Sequence, residues 1–181
     1  MAPPAADLDG KASVSLVLGG ARSGKSRFAE GLLASHVGRR IYLATAEPGD
    51  EEMRARIRDH QARRAGSWRT IEAPLDIAAV IATARQQAIL LDCLTLWLAN
   101  SMAAGRDIDR ATEELYSALD KIVAPVVIVS NEVGLGIVPE NALARDFRDR
   151  AGHLNQAVAV RADRVFFLAA GLPLTLKGKA A

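Results

Sequence analysis

An eight-residue segment near the amino terminus, residues 19–26, constrains the fold of this chain more than any other feature. Its sequence, GGARSGKS, fits the pattern G-x-x-x-x-G-K-[ST] of a phosphate-binding loop. Such a loop lies between a buried strand and a helix, and the flanking residues 14–18 and 26–33 have these two patterns. The chain is therefore predicted to bind nucleoside phosphates.

The residue types of this loop suit phosphate chemistry. Glycines let backbone N–H groups turn toward phosphate oxygens, the Lys25 ammonium reaches the β and γ phosphates, and the Ser26 hydroxyl ligates Mg²⁺. Lys25 is the first candidate catalytic residue. The candidate nucleotide-binding residues of the loop are Gly19, Gly20, Ala21, Arg22, Ser23, Gly24, Lys25 and Ser26.

Length and composition favour one catalytic domain. A chain of 181 residues can bury a sizeable core, so we expect one domain over residues 13–181. Residues 1–12, rich in Ala and Pro and without an apolar signal core, are expected to be a disordered leader.

A net charge of +2 does not favour nucleic acid as a partner. One cysteine and no bilayer-length apolar run predict a cytoplasmic protein with no membrane span.

Apolar runs alternate with segments of helical period along the chain. This pattern predicts an α/β fold, a single-domain phosphate-loop NTPase-like fold with a mostly parallel sheet and helices on both faces. A last short run, residues 172–176, contains Pro173 and is predicted to be an edge strand. The five main runs are residues 14–18, 40–44, 88–93, 126–130 and 164–169.

Asp92 ends the third apolar run. In phosphate-loop proteins an acidic residue at a strand end holds Mg²⁺, directly or through water. We therefore favour a metal site that uses Asp92 and Ser26. The alternative is that Asp92 is an ordinary N-cap for a helix that begins at Leu94.

Residues 51–64 have the pattern of a charged helix, with acids at its start and bases toward its end. Met53 and Ile57 form a narrow apolar stripe, and His60 and Arg64 continue the same i, i+4 series. A neutral imidazole among guanidinium groups is a good nucleophile toward phosphorus. Spacing alone leaves His60 open between a nucleophile and a surface histidine.

Residues 131–139 follow the fourth run with two glycines and no periodicity. This pattern predicts a shaped loop of the kind that contributes to substrate pockets. The alternative is that Gly134 and Gly136 only permit a tight turn.

Three segments together resemble one family, the bifunctional adenosylcobinamide kinase/adenosylcobinamide-phosphate guanylyltransferases of cobalamin biosynthesis. They are the phosphate loop, residues 51–70 and residues 130–139, and the resemblance extends over residues 14–178. It implies phosphorylation of adenosylcobinamide by a nucleoside triphosphate, then transfer of GMP from GTP to give adenosylcobinamide-GDP and pyrophosphate. In the family a histidine becomes guanylylated, and His60 is the histidine of that segment.

The resemblance also implies the substrates, assembly and wider nucleotide site. ATP and GTP are the expected nucleotides, Mg²⁺ the expected metal, and a homotrimer the expected assembly. For the corrinoid, the candidates are the loop of residues 131–139 and the helix near Arg145, Arg148 and Asn155. The implied nucleotide contacts beyond the loop are Thr45, Ala46, Glu47, Gln61, Ala62, Arg63, Arg64, Glu72 and Asp92.

Two other functions compete with this bifunctional transferase. A regulatory NTPase would use the loop to gate a partner, but a guanine-specific switch usually carries an Asn-Lys-x-Asp-like base reader, and residues 130–132 do not form one. A plain small-molecule kinase accounts for Lys25 and Asp92 but leaves the basic segment around His60 without a purpose. The enzyme with two transfers is favoured.

Overall fold

The computed structural model describes residues 12–47, 49, 51, 54 and 68–179. Within these residues, seven strands and five helices follow one another along the chain. They are β1 (Ser13–Gly19), α1 (Lys25–Leu32), β2 (Arg40–Ala44), β3 (Arg69–Glu72), α2 (Ile77–Thr83), β4 (Ala88–Asp92), α3 (Leu94–Ala103), α4 (Ile108–Leu119), β5 (Pro125–Val129), α5 (Ala142–Arg161), β6 (Arg164–Ala169) and β7 (Leu172–Lys177).

All seven strands form one sheet in the order β3-β2-β4-β5-β1-β6-β7. Every neighbouring pair is parallel except β6 and β7. β5 therefore separates β1 from β4, and its Val129 pairs with both Val17 and Asp92. At a spacing of about 4.8 Å between strands, the Asp92 backbone lies about 10 Å from that of Val17, near the end of β1. The sheet places Asp92 and the phosphate loop at the same edge.

The core has two layers because both faces of the sheet are covered. On one face, α2, α3, α4 and α5 pack against side chains that include Leu16, Leu43 and Leu91. On the other face, α1 packs Phe28 and Leu32 against the alternate residues of the same strands. Parallel strands buried on both faces read as continuous apolar runs, which explains why the sequence revealed them.

The predicted fold class is confirmed, with one strand missed. The five main runs form strands whose ends lie within one residue of those predicted, and the last run forms the antiparallel edge strand β7. β3 was not predicted, because its sequence Arg-Thr-Ile-Glu is short and mostly exposed. The predicted helix over 26–33 corresponds to α1, and the predicted helix near Arg145, Arg148 and Asn155 corresponds to α5. The predicted leader lies outside the described residues except for Ala12.

Candidate active site

The phosphate loop connects β1 to α1 and holds its lysine in place. Lys25 is only 7% exposed, and its Nζ donates a hydrogen bond to the Gly20 carbonyl oxygen at 2.6 Å. Gly24 precedes α1 with a φ of 95°, and Arg22 also has a positive φ of 55°. These left-handed residues turn the backbone around the space where phosphate oxygens would bind at the N-terminus of α1.

The loop is supported from behind by the end of β6 and the β6–β7 turn. A Cβ added to Gly19 would lie 2.5 Å from the Leu168 carbonyl oxygen, and one added to Gly24 would lie 3.3 Å from the Gly171 Cα. The Gly171 N–H donates to the Ser23 carbonyl oxygen at 2.9 Å. Two of the motif glycines are therefore required by packing against the protein as well as by their backbone conformation.

Asp92 is oriented by a tyrosine from the neighbouring strand. The Tyr42 hydroxyl donates to Asp92 Oδ2 at 2.5 Å, and Tyr42 is only 5% exposed. Tyr42 packs edge-to-face against Trp68, with ring centroids 6.4 Å apart. Asp92 is not the N-cap of α3, so that alternative is wrong: the N-cap is Cys93, whose Sγ accepts a hydrogen bond from the Leu96 N–H. Asp92 thus ends β4 with its carboxylate held against Tyr42.

The N-cap residue Cys93 has a buried thiol. Cys93 is 5% exposed, and burial, followed by the nearby negative charge of Asp92, raises the pKa of its thiol. Both effects disfavour the thiolate. Cys93 is therefore a structural acceptor at the start of α3 and not a nucleophile.

Thr45 joins the ends of β2 and β4. Its hydroxyl accepts a hydrogen bond from Cys93 N at 2.8 Å and donates one to the Cys93 carbonyl oxygen at 2.7 Å. The Thr45 carbonyl oxygen accepts from Asn100 Nδ2 at 2.8 Å. The Thr45 side chain is fully buried. Its observed contacts therefore fix the backbone at the carboxyl edge, and the predicted nucleotide contact stays a prediction.

The predicted loop over residues 131–139 is present and is held at both ends. The Asn131 N–H donates to the buried Thr95 Oγ1 at 2.9 Å, and Asn155 Nδ2 donates to the Asn131 carbonyl oxygen at 3.2 Å. At the other end, the Arg145 guanidinium donates to the Pro139 carbonyl oxygen at 3.0 Å. The Glu132 N–H donates to the Gly19 carbonyl oxygen at 3.1 Å, which joins this loop to the phosphate loop.

The remaining predicted contacts fall into two groups. In the first group, Ala46 and the exposed Glu47 follow β2. The exposed Glu72 ends β3 and pairs with Ala44 of β2. These residues share the carboxyl edge with the phosphate loop, since β2, β3 and β4 are parallel. The predicted residues that lie outside the described part of the chain are His60, Gln61, Ala62, Arg63 and Arg64.

Sequence reasoning missed Tyr42 and Asn100 as residues that organise this edge, and it named Asn155 only as a candidate corrinoid contact. Tyr42 had a usable signal, because strand alternation places it on the same face as Ala44, two residues before the end of its strand. The signal becomes specific only when β2 is known to pair with β4, which brings Tyr42 beside Asp92. The two asparagines lie in helices, where the sequence alone does not show which carbonyl each one contacts.

Comparison with known proteins decides the family. A family model described as cobinamide kinase / cobinamide phosphate guanyltransferase matches residues 15–176. The bifunctional adenosylcobalamin biosynthesis protein CobP of Pseudomonas aeruginosa is 47% identical over 168 residues, which cover 91% of this chain and 97% of that protein. The chain belongs to the cobinamide kinase / cobinamide phosphate guanyltransferase family. The family that the motifs indicated is confirmed, and the family is one of enzymes.

Three further proteins are similar to this chain. The bifunctional adenosylcobalamin biosynthesis protein CobU of Salmonella typhimurium is 42% identical over 179 residues, covering 90% of this chain and 98% of that protein. The flagellar accessory protein FlaH of Methanocaldococcus jannaschii superposes with a TM-score of 0.53 at 15% identity, covering 94% of this chain and 80% of that structure. A type III secretion system ATPase superposes with a TM-score of 0.58 at 11% identity, covering 91% and 57%. At these identities the two structures support the fold alone.

No helix within the described residues is both long and apolar enough to cross a membrane.

Proposed function

We propose that this family member performs two successive transfers at the carboxyl edge of the sheet. In the first, the aminopropanol hydroxyl oxygen of adenosylcobinamide attacks the γ-phosphorus of ATP or GTP, the bond to the β–γ bridging oxygen breaks, and the hydroxyl proton passes to solvent. In the second, GMP from GTP is joined to the new phosphate and pyrophosphate leaves. The observation that carries the proposal is the family's phosphate loop with its buried Lys25.

Lys25 supplies positive charge where the transfers develop negative charge. Phosphoryl transfer depends mainly on positioning and on neutralising the transferring group. The Lys25 ammonium is held at the Gly20 carbonyl oxygen and lies at the start of α1, beside the backbone N–H groups of the loop. A bound triphosphate would place its oxygens against these donors, so binding and charge stabilisation would come from the same residues.

The residues at this edge fit Mg²⁺. The Ser26 hydroxyl and the Asp92 carboxylate are hard oxygen donors, and Mg²⁺ in nucleotide sites takes few protein ligands, with phosphates and water completing its shell. When bound, the ion would neutralise charge on the phosphates. Tyr42 holds one Asp92 oxygen at 2.5 Å and so orients the carboxylate that would meet the ion.

His60 is the proposed nucleophile of the second transfer. Its ring nitrogen would attack the α-phosphorus of GTP as pyrophosphate leaves, forming a phosphoramidate with GMP. A phosphate oxygen of the corrinoid would then displace the nitrogen, and the imidazole would be regenerated. This role is supported by the family resemblance of the segment that contains His60, and Gln61, Ala62, Arg63 and Arg64 are proposed as nucleotide contacts on the same ground.

We further propose a cytoplasmic homotrimer. The edge strand β7 has a leucine at every second position, so Leu172, Leu174 and Leu176 lie on one face of the sheet. They are 71%, 61% and 56% exposed, respectively. Exposed apolar rows at a sheet edge are typical of contacts between chains. These leucines are the surface that we assign to subunit contact, and light scattering of Leu174→Asp would test it by a fall in molar mass.

The proposed function is tested by following the products. Purified protein with adenosylcobinamide, GTP and Mg²⁺ should yield adenosylcobinamide-GDP and pyrophosphate, and mass spectrometry would detect adenosylcobinamide phosphate at early times. Lys25→Ala should form both corrinoid products about 10²–10³-fold more slowly. If the wild-type protein hydrolysed GTP but left the corrinoid unchanged, a regulatory NTPase would replace the transferase. If only the phosphorylated corrinoid formed, the plain kinase would stand.

A further inference from the structure

The segment between β5 and α5 presents apolar side chains to solvent. Ile137 is 98% exposed and Leu135 is 80% exposed. Single exposed apolar residues are ordinary, but a group of them within eleven consecutive residues is typical of a binding surface. We name this group the apolar loop surface, and its members are Val133, Leu135, Ile137, Val138 and Leu143.

The base of this surface is fixed. Asn131 is held by Thr95 through its N–H and by Asn155 through its carbonyl oxygen, and both partners are buried. The Arg145 guanidinium holds the Pro139 carbonyl oxygen at the other end. A segment that is anchored at both ends loses less conformational entropy when a ligand binds, so its exposed side chains form a largely prepared surface.

The apolar loop surface begins beside the phosphate loop. The Glu132 N–H donates to the Gly19 carbonyl oxygen at 3.1 Å, and Val133 is the next residue. A molecule that rests on this surface therefore lies next to bound phosphates. Group transfer requires the accepting oxygen to approach within about 3–3.5 Å of phosphorus, so the acceptor must occupy a position of this kind.

We propose that the apolar loop surface binds the corrin ring of the corrinoid acceptor, an inference that rests on the proposed function. The ring is a large body whose edge carries methyl groups between its amide side chains, whereas the nucleotide offers charged phosphates that suit the backbone donors and Lys25. Contact between the methyl-bearing edge and Leu135 and Ile137 removes apolar area from water on both partners. The ring would be held by side chains while the phosphates are held by backbone.

Direct continuity with the phosphate loop favours the corrinoid over a second copy of the chain. The exposed leucines that we assign to subunit contact lie on the antiparallel edge strand β7, which is separate in sequence from this surface. An acceptor bound at residues 133–143 would be within reach of the transferring phosphorus. A subunit contact at this place would need no such reach.

The test compares matched exposed positions at the two ends of the sheet. Leu135→Ser/Ile137→Ser removes two side chains from the apolar loop surface, whereas Val37→Ser changes a valine that is 96% exposed between α1 and β2, at the amino edge. The double variant should raise the KM for adenosylcobinamide by at least about tenfold, since each apolar side chain contributes on that order to binding. Val37→Ser should leave this KM unchanged.

Two readouts separate this role from others. GTP-dependent self-guanylylation needs no corrinoid, so its rate should be the same in wild type and in the double variant, and the molar mass from light scattering should also be unchanged. An unchanged corrinoid KM would overturn the inference, and so would a fall in molar mass, which would make the surface a contact between subunits. If wild type itself failed to convert adenosylcobinamide, the proposed function would be overturned, and the inference with it.

Discussion

Two loops meet at the carboxyl edge of the sheet and present opposite kinds of chemical group. The phosphate loop follows β1, packs closely against β6 and offers backbone N–H groups and one buried lysine. The loop of residues 131–139 follows the adjacent strand β5, is fixed at its base and exposes apolar side chains. A hydrogen bond between Glu132 and Gly19 joins them. The carboxyl edge thus presents polar and charged donors on one loop and exposed apolar side chains on the other.

Lys25→Ala tests the charged half of this comparison and should have the largest effect. The change removes a buried ammonium from the phosphate loop. We expect kcat/KM for both transfers to fall about 10²–10³-fold, which is the loss typical of one electrostatic donor. Steady-state rates with ATP and GTP would measure it, with Lys121→Ala, a change on the exposed surface after α4, as the control. A fall of less than threefold would contradict the role given to Lys25.

A pair of glycine substitutions tests whether the two loops differ in packing. In Gly19→Ala the new Cβ would lie 2.5 Å from the Leu168 carbonyl oxygen at a φ of 150°, whereas in Gly136→Ala it would meet no atom within 4 Å. We expect Gly19→Ala to lower the free energy of unfolding by about 1–3 kcal/mol and to weaken GTP binding. Gly136→Ala should change stability by less than about 0.5 kcal/mol. Denaturant unfolding and calorimetry would show both, and equal effects would remove the distinction.

Tyr42→Phe tests the Asp92 carboxylate at the end of β4. The change removes the hydrogen bond to Asp92 Oδ2 while keeping the ring against Trp68. A hydrogen bond to a charged group contributes about 1.5 kcal/mol, so the Mg²⁺ concentration for half-maximal rate should rise about tenfold. Mn²⁺ binding measured by electron paramagnetic resonance should weaken in parallel.

The control for this prediction is Tyr116→Phe. Tyr116 is also buried, but it lies on α4, where Arg161 stacks on its ring. It should leave the Mg²⁺ dependence as in wild type. Equal Mg²⁺ dependence in Tyr42→Phe and wild type would mean that Tyr42 does not position Asp92 for the ion.

The smallest effect concerns chemical labelling of Cys93, the buried N-cap residue of α3. The labelling rate tests whether reagents reach the interior behind the carboxyl edge of the sheet. Burial and the charge of Asp92 raise the pKa of its thiol, so the thiolate is scarce at pH 8 and its fraction rises only as the pH approaches that raised pKa. Iodoacetamide should label Cys93 slowly in the native protein and rapidly in urea. Rapid native labelling would show that the carboxyl edge opens at its base.

The sequence predicted the phosphate loop and the central strands for physical reasons. Residues 19–26 must contain glycine and lysine at fixed spacing, and strands buried on both faces are apolar throughout. The edge strand β3 was missed because its exposed residues carry no such pattern. The family, too, followed from local motifs that the comparison confirms.

The order of the strands and the polar contacts at their ends were not predictable in this way. Tyr42 and Asp92 are 50 residues apart, and they meet because β2 pairs with β4 and not with β1. Thr95 and Asn155 reach Asn131 across 36 and 24 residues, so the anchoring of the second loop also depends on topology. The exposure of Ile137 likewise follows from the fold, since its residue type alone suggests burial.

We propose that the phosphate-loop site also passes GMP through His60. The most direct test is incubation with Mg²⁺ and GTP labelled in the α-phosphate, followed by denaturing electrophoresis of wild type, His60→Ala and, as a control, His153→Ala, which changes an exposed histidine on α5. We expect acid-labile, alkali-stable label on wild type and His153→Ala and none on His60→Ala. Equal label on His60→Ala, or no label on a wild-type protein that binds GTP, would contradict it.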